Sequence, residues 1–158
     1  MRSRLLLAAL SAVIGFSCSR ELLRHTPQPD PVQLRSAAAS FTGDGRGEFR
    51  LLLAVANPKH SPGKLTGIDW ELWLNNNWFA SGTARLGDDV PPEGGTVEVK
   101  LPVAFGRMET SSTPIALQLT VRGKLTAQLG GSEEELAFHG TTTVEAKDAP
   151  VLGRTETD

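Results

Sequence analysis

From Val97 to Phe105 every second residue is apolar (Val97, Val99, Leu101, Val103 and Phe105), while Glu98, Lys100 and Pro102 lie among the residues between them. An extended chain points successive side chains to opposite faces, so a period of two specifies a strand with one face buried and the other in water. The pattern recurs along the middle of the chain. Phe49, Leu51, Leu53 and Val55 alternate with Arg50, Leu52 and Ala54; Ile68, Trp70, Leu72 and Leu74 alternate with Asp69, Glu71 and Trp73. Ile115, Leu117, Leu119 and Val121 form a further run, followed by Leu125, Ala127 and Leu129. Turn chemistry separates the runs: Gly43-Asp44-Gly45, Asn57-Pro58, Asn75-Asn76-Asn77, the stretch 88–95 and Gly130-Gly131-Ser132. With a first strand over Val32–Phe41, a hairpin arm over Trp78–Leu86 and a polar-rich last strand over Glu134–Ala146, this predicts an all-β protein. A single antiparallel β-sandwich of about seven strands over residues 32–146 is the architecture that fits.

Single residues refine that expectation. Pro102 has no N–H for a ladder hydrogen bond, which places its strand at an edge or on a bulge. Trp70 and Trp78 are expected in the core. Trp73 falls on the opposite face, beside Asp69, Glu71 and Asn75, where an aromatic ring can stack on a sugar or on a partner's surface. It is the candidate surface-binding residue, against the plainer reading that it covers a sheet edge or a loop.

The N-terminus is organised differently. Arg2 and Arg4 precede an apolar run from Leu5 to Phe16, shorter than the roughly 20 residues of a membrane-spanning helix, which is the outline of a cleaved secretory signal. Cys18 follows, the one cysteine of the chain. With no second cysteine it has no disulfide to form. The segment Ile14-Gly15-Phe16-Ser17-Cys18 resembles the bacterial lipobox, although Gly15 stands where that motif usually carries Leu. The resemblance implies lipidation of Cys18 and removal of residues 1–17; the alternative is an ordinary secreted protein cut near Ser17 or Ser19. Residues 18–31 would then be an acylated cysteine and a proline-rich linker, able to hold a domain up to roughly 40 Å from a bilayer. Residues 147–158, with no apolar period, are expected as a flexible tail. Ser19 after the cysteine, where an Asp would signal inner-membrane retention in enteric-type bacteria, favours the outer membrane, facing the periplasm.

Charge and motif content exclude several functions. The chain carries a formal charge of −2, which becomes −4 on losing Arg2 and Arg4, so no basic surface is in prospect to neutralise nucleic-acid phosphates. No nucleophile stands beside a base, and His25, His60 and His139 are too scattered to form a metal pair. Asp88-Asp89 and Glu133-Glu134-Glu135 cluster carboxylates without the spacing of a calcium loop. No catalytic residue, metal site or cofactor is expected, and the protein is read as not being an enzyme.

Taken together, the strand that ends in Asn57-Pro58, the strand IDWELWL, the hairpin into WFASGTA with Gly82, the turn at Pro91-Pro92 and the strand TVEVKLPVAF resemble a known family. It is the late embryogenesis abundant type 2 domain, also called the water-stress and hypersensitive-response (WHy) domain, over roughly Val32 to Ala146. The resemblance implies an immunoglobulin-like or fibronectin III-like sandwich and a role in desiccation or other water-stress responses. The leading expectation is therefore a noncatalytic lipoprotein of the bacterial envelope, held to a membrane by lipid on Cys18, with a protective or adaptor role. A lipid- or glycan-binding module of the periplasm is the alternative, and an assembly component pairing through an edge strand is a third reading.

Overall fold

The computed structural model describes residues 30–152 apart from Arg107. The signal segment, Cys18, most of the linker and residues 153–158 lie outside the described residues. Ten strands succeed one another: β1 (Val32–Thr42), β2 (Arg46–Val55), β3 (Gly63–Leu74), β4 (Asn77–Arg85), β5 (Asp89–Val90), β6 (Gly95–Ala104), β7 (Thr110–Ser111), β8 (Ile115–Leu129), β9 (Ser132–Ala146) and β10 (Ala149–Pro150). Seven are long, as the alternation predicts. The other three are two-residue fragments at the ends of the sandwich. One sheet has the order β1-β2-β6, the other β4-β3-β8-β9 with β5 also paired to β3, and β7 and β10 make a small separate ribbon. Every pairing is antiparallel.

The two sheets bury the apolar faces against each other. Phe49, Leu51 and Leu53 of β2 meet Leu72 and Leu74 of β3 and Leu119 and Leu125 of β8 in one core, all seven fully excluded from water. Each such side chain contributes about 1.5–3 kcal/mol of transfer free energy, which is why the strand faces are fixed so firmly. A one-residue slip would turn the whole apolar set outward. β8 is a single strand of 15 residues rather than two, because Gly123 keeps the odd-numbered phase between Val121 and Leu125.

Bulges change that phase at three places. Arg35 in β1, Thr66 in β3 and Phe79 in β4 are each an extra residue in the ladder. Thr66 explains why Leu65 is buried at an odd position whereas Ile68, Trp70, Leu72 and Leu74 are buried at even ones. Phe79 has a larger effect. Ala84, Gly82 and Ala80 share the inward face of β4, so strict alternation would carry Trp78 into the core. The bulge gives the inward place to Phe79 instead and pairs Trp78 with the outward-facing Trp73. Trp78 is 61% exposed, which corrects the expectation that it is a core residue.

The turns form where the sequence marks them. Asn75 and Asn76 both have positive φ, 49° and 65°, the backbone of a two-residue hairpin loop. Asn75 also extends the sheet: its N–H donates to Gln118 O at 2.8 Å, and its Oδ1 accepts from Gln118 N–H at 2.9 Å. The expectation of a flexible tail from residue 147 is corrected at its start. Ala149 and Pro150 are buried and pair with Ser111 and Thr110, and Asp148 N–H donates to Ser111 O at 2.8 Å. Alternation misses this segment because two residues cannot display a period.

The sandwich is closed along one side and open along the other. β1 lies against β9, so closely that a Cβ at Gly140 would stand 2.6 Å from Leu34 Cβ. On the opposite side β4 and β6 are the outer strands of their sheets and approach little. Pro102 sits on β6, at the edge that its missing N–H requires. At one end lie the entry of the chain at Pro31, the 57–61 loop and the β8–β9 turn. The β3–β4 turn, the β1–β2 turn and Phe105 occupy the other.

Candidate functional site

The open side, toward the end that carries the β3–β4 turn, holds a lateral groove of about 470 Å³ between β4 and β6. Its floor is aromatic. Phe79, turned inward by the bulge, packs on Phe105 with ring centroids 5.6 Å apart, and edge-to-face on Phe41 and Phe49 at 6.4 and 6.1 Å. Such pairs hold one another by their quadrupoles as well as by buried area, so the floor is rigid. The rim is looser. Trp78 and Met108, 61% and 41% exposed, present large apolar surfaces to solvent, and Leu152 lines the groove from the segment after β10.

Trp70 enters the same groove from β3. Its ring lies over Gly82 in β4, where a Cβ would stand 2.7 Å from Cζ2, 3.0 Å from Cε2 and 3.4 Å from Nε1. Only glycine leaves room for the indole there. Trp70 is 6% exposed, and its Nε1–H, shielded from water, finds no acceptor among the described residues. An unmet buried donor of this kind costs about 1–3 kcal/mol.

A second, shallower depression of about 620 Å³ crosses the row Gly82, Trp70, Gly123 and Phe138 of the larger sheet. Its rim is charged but balanced: Asp69 stands opposite Lys124 and Glu71 opposite Arg122. Lys124 also bonds Glu135 at 2.9 Å, and this contact, with a smaller attraction from Asp69, raises its pKa above the usual lysine value. Paired charges of this kind keep a sheet face hydrated.

Trp73, the binding residue expected from the sequence, is on the outward face of β3 as the alternation predicts. The guanidinium of Arg122 covers its ring at 4.9 Å from the centroid, and its ladder partner is Trp78. The groove is thus built by Trp78, Phe79, Met108, Leu152 and Trp70, none of which the sequence reading marked as a binding residue. The available signal was the adjacent pair Trp78-Phe79, since two consecutive large aromatics cannot share one face of a regular strand. Cys18 and His25 lie outside the described residues. The run Glu133-Glu134-Glu135 serves ion pairs and hydrogen bonds: Glu134 bonds Lys59 at 2.9 Å, Glu135 bonds Lys124 and Glu133 accepts from Gln128. Among the described residues no three His, Cys, Asp or Glu side chains gather where they could hold a metal ion, and no helix is long and apolar enough to cross a membrane.

No family model matches the chain, and no curated protein does. Solved structures do. The solution structure of an Arabidopsis thaliana protein aligns with 91% of this chain and 95% of its own, at 12% identity and a TM-score of 0.57. The solution structure of a protein provisionally placed among the late embryogenesis abundant (LEA) proteins aligns with 84% of this chain and 77% of its own, at 21% identity and a TM-score of 0.51. A crystal structure of a protein from Archaeoglobus fulgidus aligns with 75% of this chain and 99% of its own, at 19% identity and a TM-score of 0.48. The two solution structures share the fold of this domain, the antiparallel β-sandwich that the strand alternation and the resemblance implied.

Proposed function

We propose that this sandwich is a noncatalytic binding module of the bacterial envelope, lipid-anchored through Cys18 and acting in protection against water stress. The lateral groove supports the binding role, since Trp78 and Met108 keep apolar surface exposed over a floor too well packed to close by collapse. The stress role is supported by the fold shared with a protein named for late embryogenesis abundance. The anchor is supported by the signal-like N-terminus and the lone cysteine. A tethered acidic domain concentrates at a membrane surface, where it separates neighbours and covers apolar patches as water is withdrawn.

The test uses the full chain carrying Cys18→Ser and a labile client enzyme dried and rehydrated with it. Retained client activity is expected, and a Trp78→Ser companion is expected to retain less. Equal client losses with and without the protein would overturn the protective reading. Separately, Cys18→Ser is expected to move the protein from the membrane fraction to the soluble fraction of the cell, and unchanged fractionation would overturn the anchor.

A further inference from the structure

On the open side of the sandwich β4 and β6 are outer strands, and each turns a row of backbone groups away from its own sheet. Parity identifies those rows. Leu86 N–H donates to Thr66 O at 3.1 Å, continuing the ladder of β4 with β3. Ala84, Gly82 and Ala80 therefore bond inward, and the N–H and C=O groups of Ser81, Thr83 and Arg85 point outward. Phe105 N–H donates to Gly45 O at 2.9 Å in the same way, which turns Thr96, Glu98, Lys100, Pro102 and Ala104 of β6 outward. The two edges are not equally protected. The free row of β6 carries Lys100 and Pro102, a charge and a missing donor, which are common devices against the addition of another strand. β4 runs Ala80-Ser81-Gly82-Thr83-Ala84 with no charge and no proline, and among the described residues no backbone bond from elsewhere reaches its free row.

From this edge we infer that the protein forms a two-fold dimer in which β4 pairs antiparallel with β4 of a second copy, joining the two larger sheets into one. The inference goes beyond the binding-module reading and does not depend on it, since it uses the edge of β4 and not what the groove holds. A second copy fits because the row is complementary to itself. With Thr83 opposite Thr83 on the axis, Ser81 faces Arg85 of the other copy, so all three outward residues of each chain find donors and acceptors. The same register matches the charges. Among the described residues neither Glu71 nor Arg85 has an ion pair. Glu71 is the ladder partner of Ser81, so Arg85 of the second copy stands two strand spacings from it, roughly 10 Å of backbone, and reaches it over the small Ser81. Trp78 is next on that outward face and lies diagonal to the same guanidinium, which covers part of a ring now 61% exposed. An unrelated strand would find the same backbone groups but not this repeated match of Glu71 with Arg85.

The experiment is sedimentation equilibrium of the full chain carrying Cys18→Ser, alone and with further substitutions. A species of twice the chain mass that dissociates on dilution is expected. Thr83→Pro removes the central N–H donor of each copy while sparing the inward bonds of β4, and is expected to give a monomer with unchanged circular dichroism. Because a proline can disturb a strand, exchange of charge supplies a second readout. Glu71→Arg alone and Arg85→Glu alone each set like charges against each other at both ends of the interface, and each is expected to weaken the dimer roughly tenfold. Mixing those two variants opposes unlike charges at both ends again, and is expected to recover the association of the parent. A chain that stays monomeric at every concentration would overturn the second copy as the occupant of this edge. A dimer left intact by Thr83→Pro would overturn the β4 contact, and mixed variants that fail to recover would overturn the register.

Discussion

Asn57 and Pro91 are joined across 34 residues of sequence by one amide: Asn57 Nδ2 donates to Pro91 O at 2.9 Å. The same nitrogen donates to Ser61 O at 2.7 Å, and Asn57 Oδ1 accepts from Lys59 N–H at 3.2 Å. Asn57 is 4% exposed, so its three bonds are made out of reach of water. It closes the loop after β2 upon itself and ties that loop to the turn before β6. Asn57→Ala leaves two carbonyls and an N–H without their partner and is expected to cost about 2–4 kcal/mol in urea-induced unfolding. Asn57→Asp keeps the shape but cannot donate twice; a variant as stable as the parent would show that the tie contributes nothing.

Gly82 is the second structural test. Any side chain there meets the Trp70 ring from below, with Cζ2 2.7 Å from the new Cβ. Gly82→Val should destabilise by about 1–3 kcal/mol, the range for overpacking. Trp70 must move toward the groove to make room, so intrinsic tryptophan fluorescence should shift as well. Unchanged stability and emission would place the indole elsewhere.

Removing residues 148–158 tests the ribbon of β7 and β10. The truncation deletes buried Ala149 and Pro150, the bond from Asp148 N–H to Ser111 O and the one from Val151 N–H to Glu109 O, each 2.8 Å. It also takes Leu152 off the core. A loss of about 2–4 kcal/mol is expected by chemical denaturation. A merely loose tail would come away at no cost.

Lys124 gives a pH dependence with a definite sign. Glu135, by hydrogen bond and charge, holds the ammonium pKa above the usual lysine value of 10.5, and Asp69 adds to this. A group raised in the folded state contributes stability that is fully present below its unfolded pKa and is lost as pH rises through the folded one. Both side chains are more than half exposed, so the contribution is small and falls with salt. The measurement is the titration midpoint of Lys124 Nζ by NMR, expected to fall back toward 10.5 in Glu135→Gln.

The long strands were legible because burial on one face imposes a period that four or five residues suffice to reveal. Pro102 was legible as an edge residue because it lacks a donor, and Asn75-Asn76 as a turn because both tolerate positive φ. What escaped was whatever breaks the period. The Phe79 bulge reverses the facing of Trp78, and the adjacent pair Trp78-Phe79 says only that one of the two aromatics faces outward, not which. The groove needed four separate segments, Trp70, residues 78–81, residues 102–105 with Met108, and Leu152, to meet at a side of the sandwich that no local pattern describes. That the indole N–H of Trp70 meets no acceptor among the described residues is invisible in sequence for the same reason, since it depends on every neighbour in space.

The chain enters the sandwich at the end opposite the groove, and this sets a direction. From Val55, beside the entry, to Gly47, beside Val103, β2 advances eight residues, roughly 26 Å at about 3.3 Å each. Whatever precedes Pro31 in the chain therefore joins the sandwich beside the Asn57 loop, with the length of a strand between that junction and the aromatic groove.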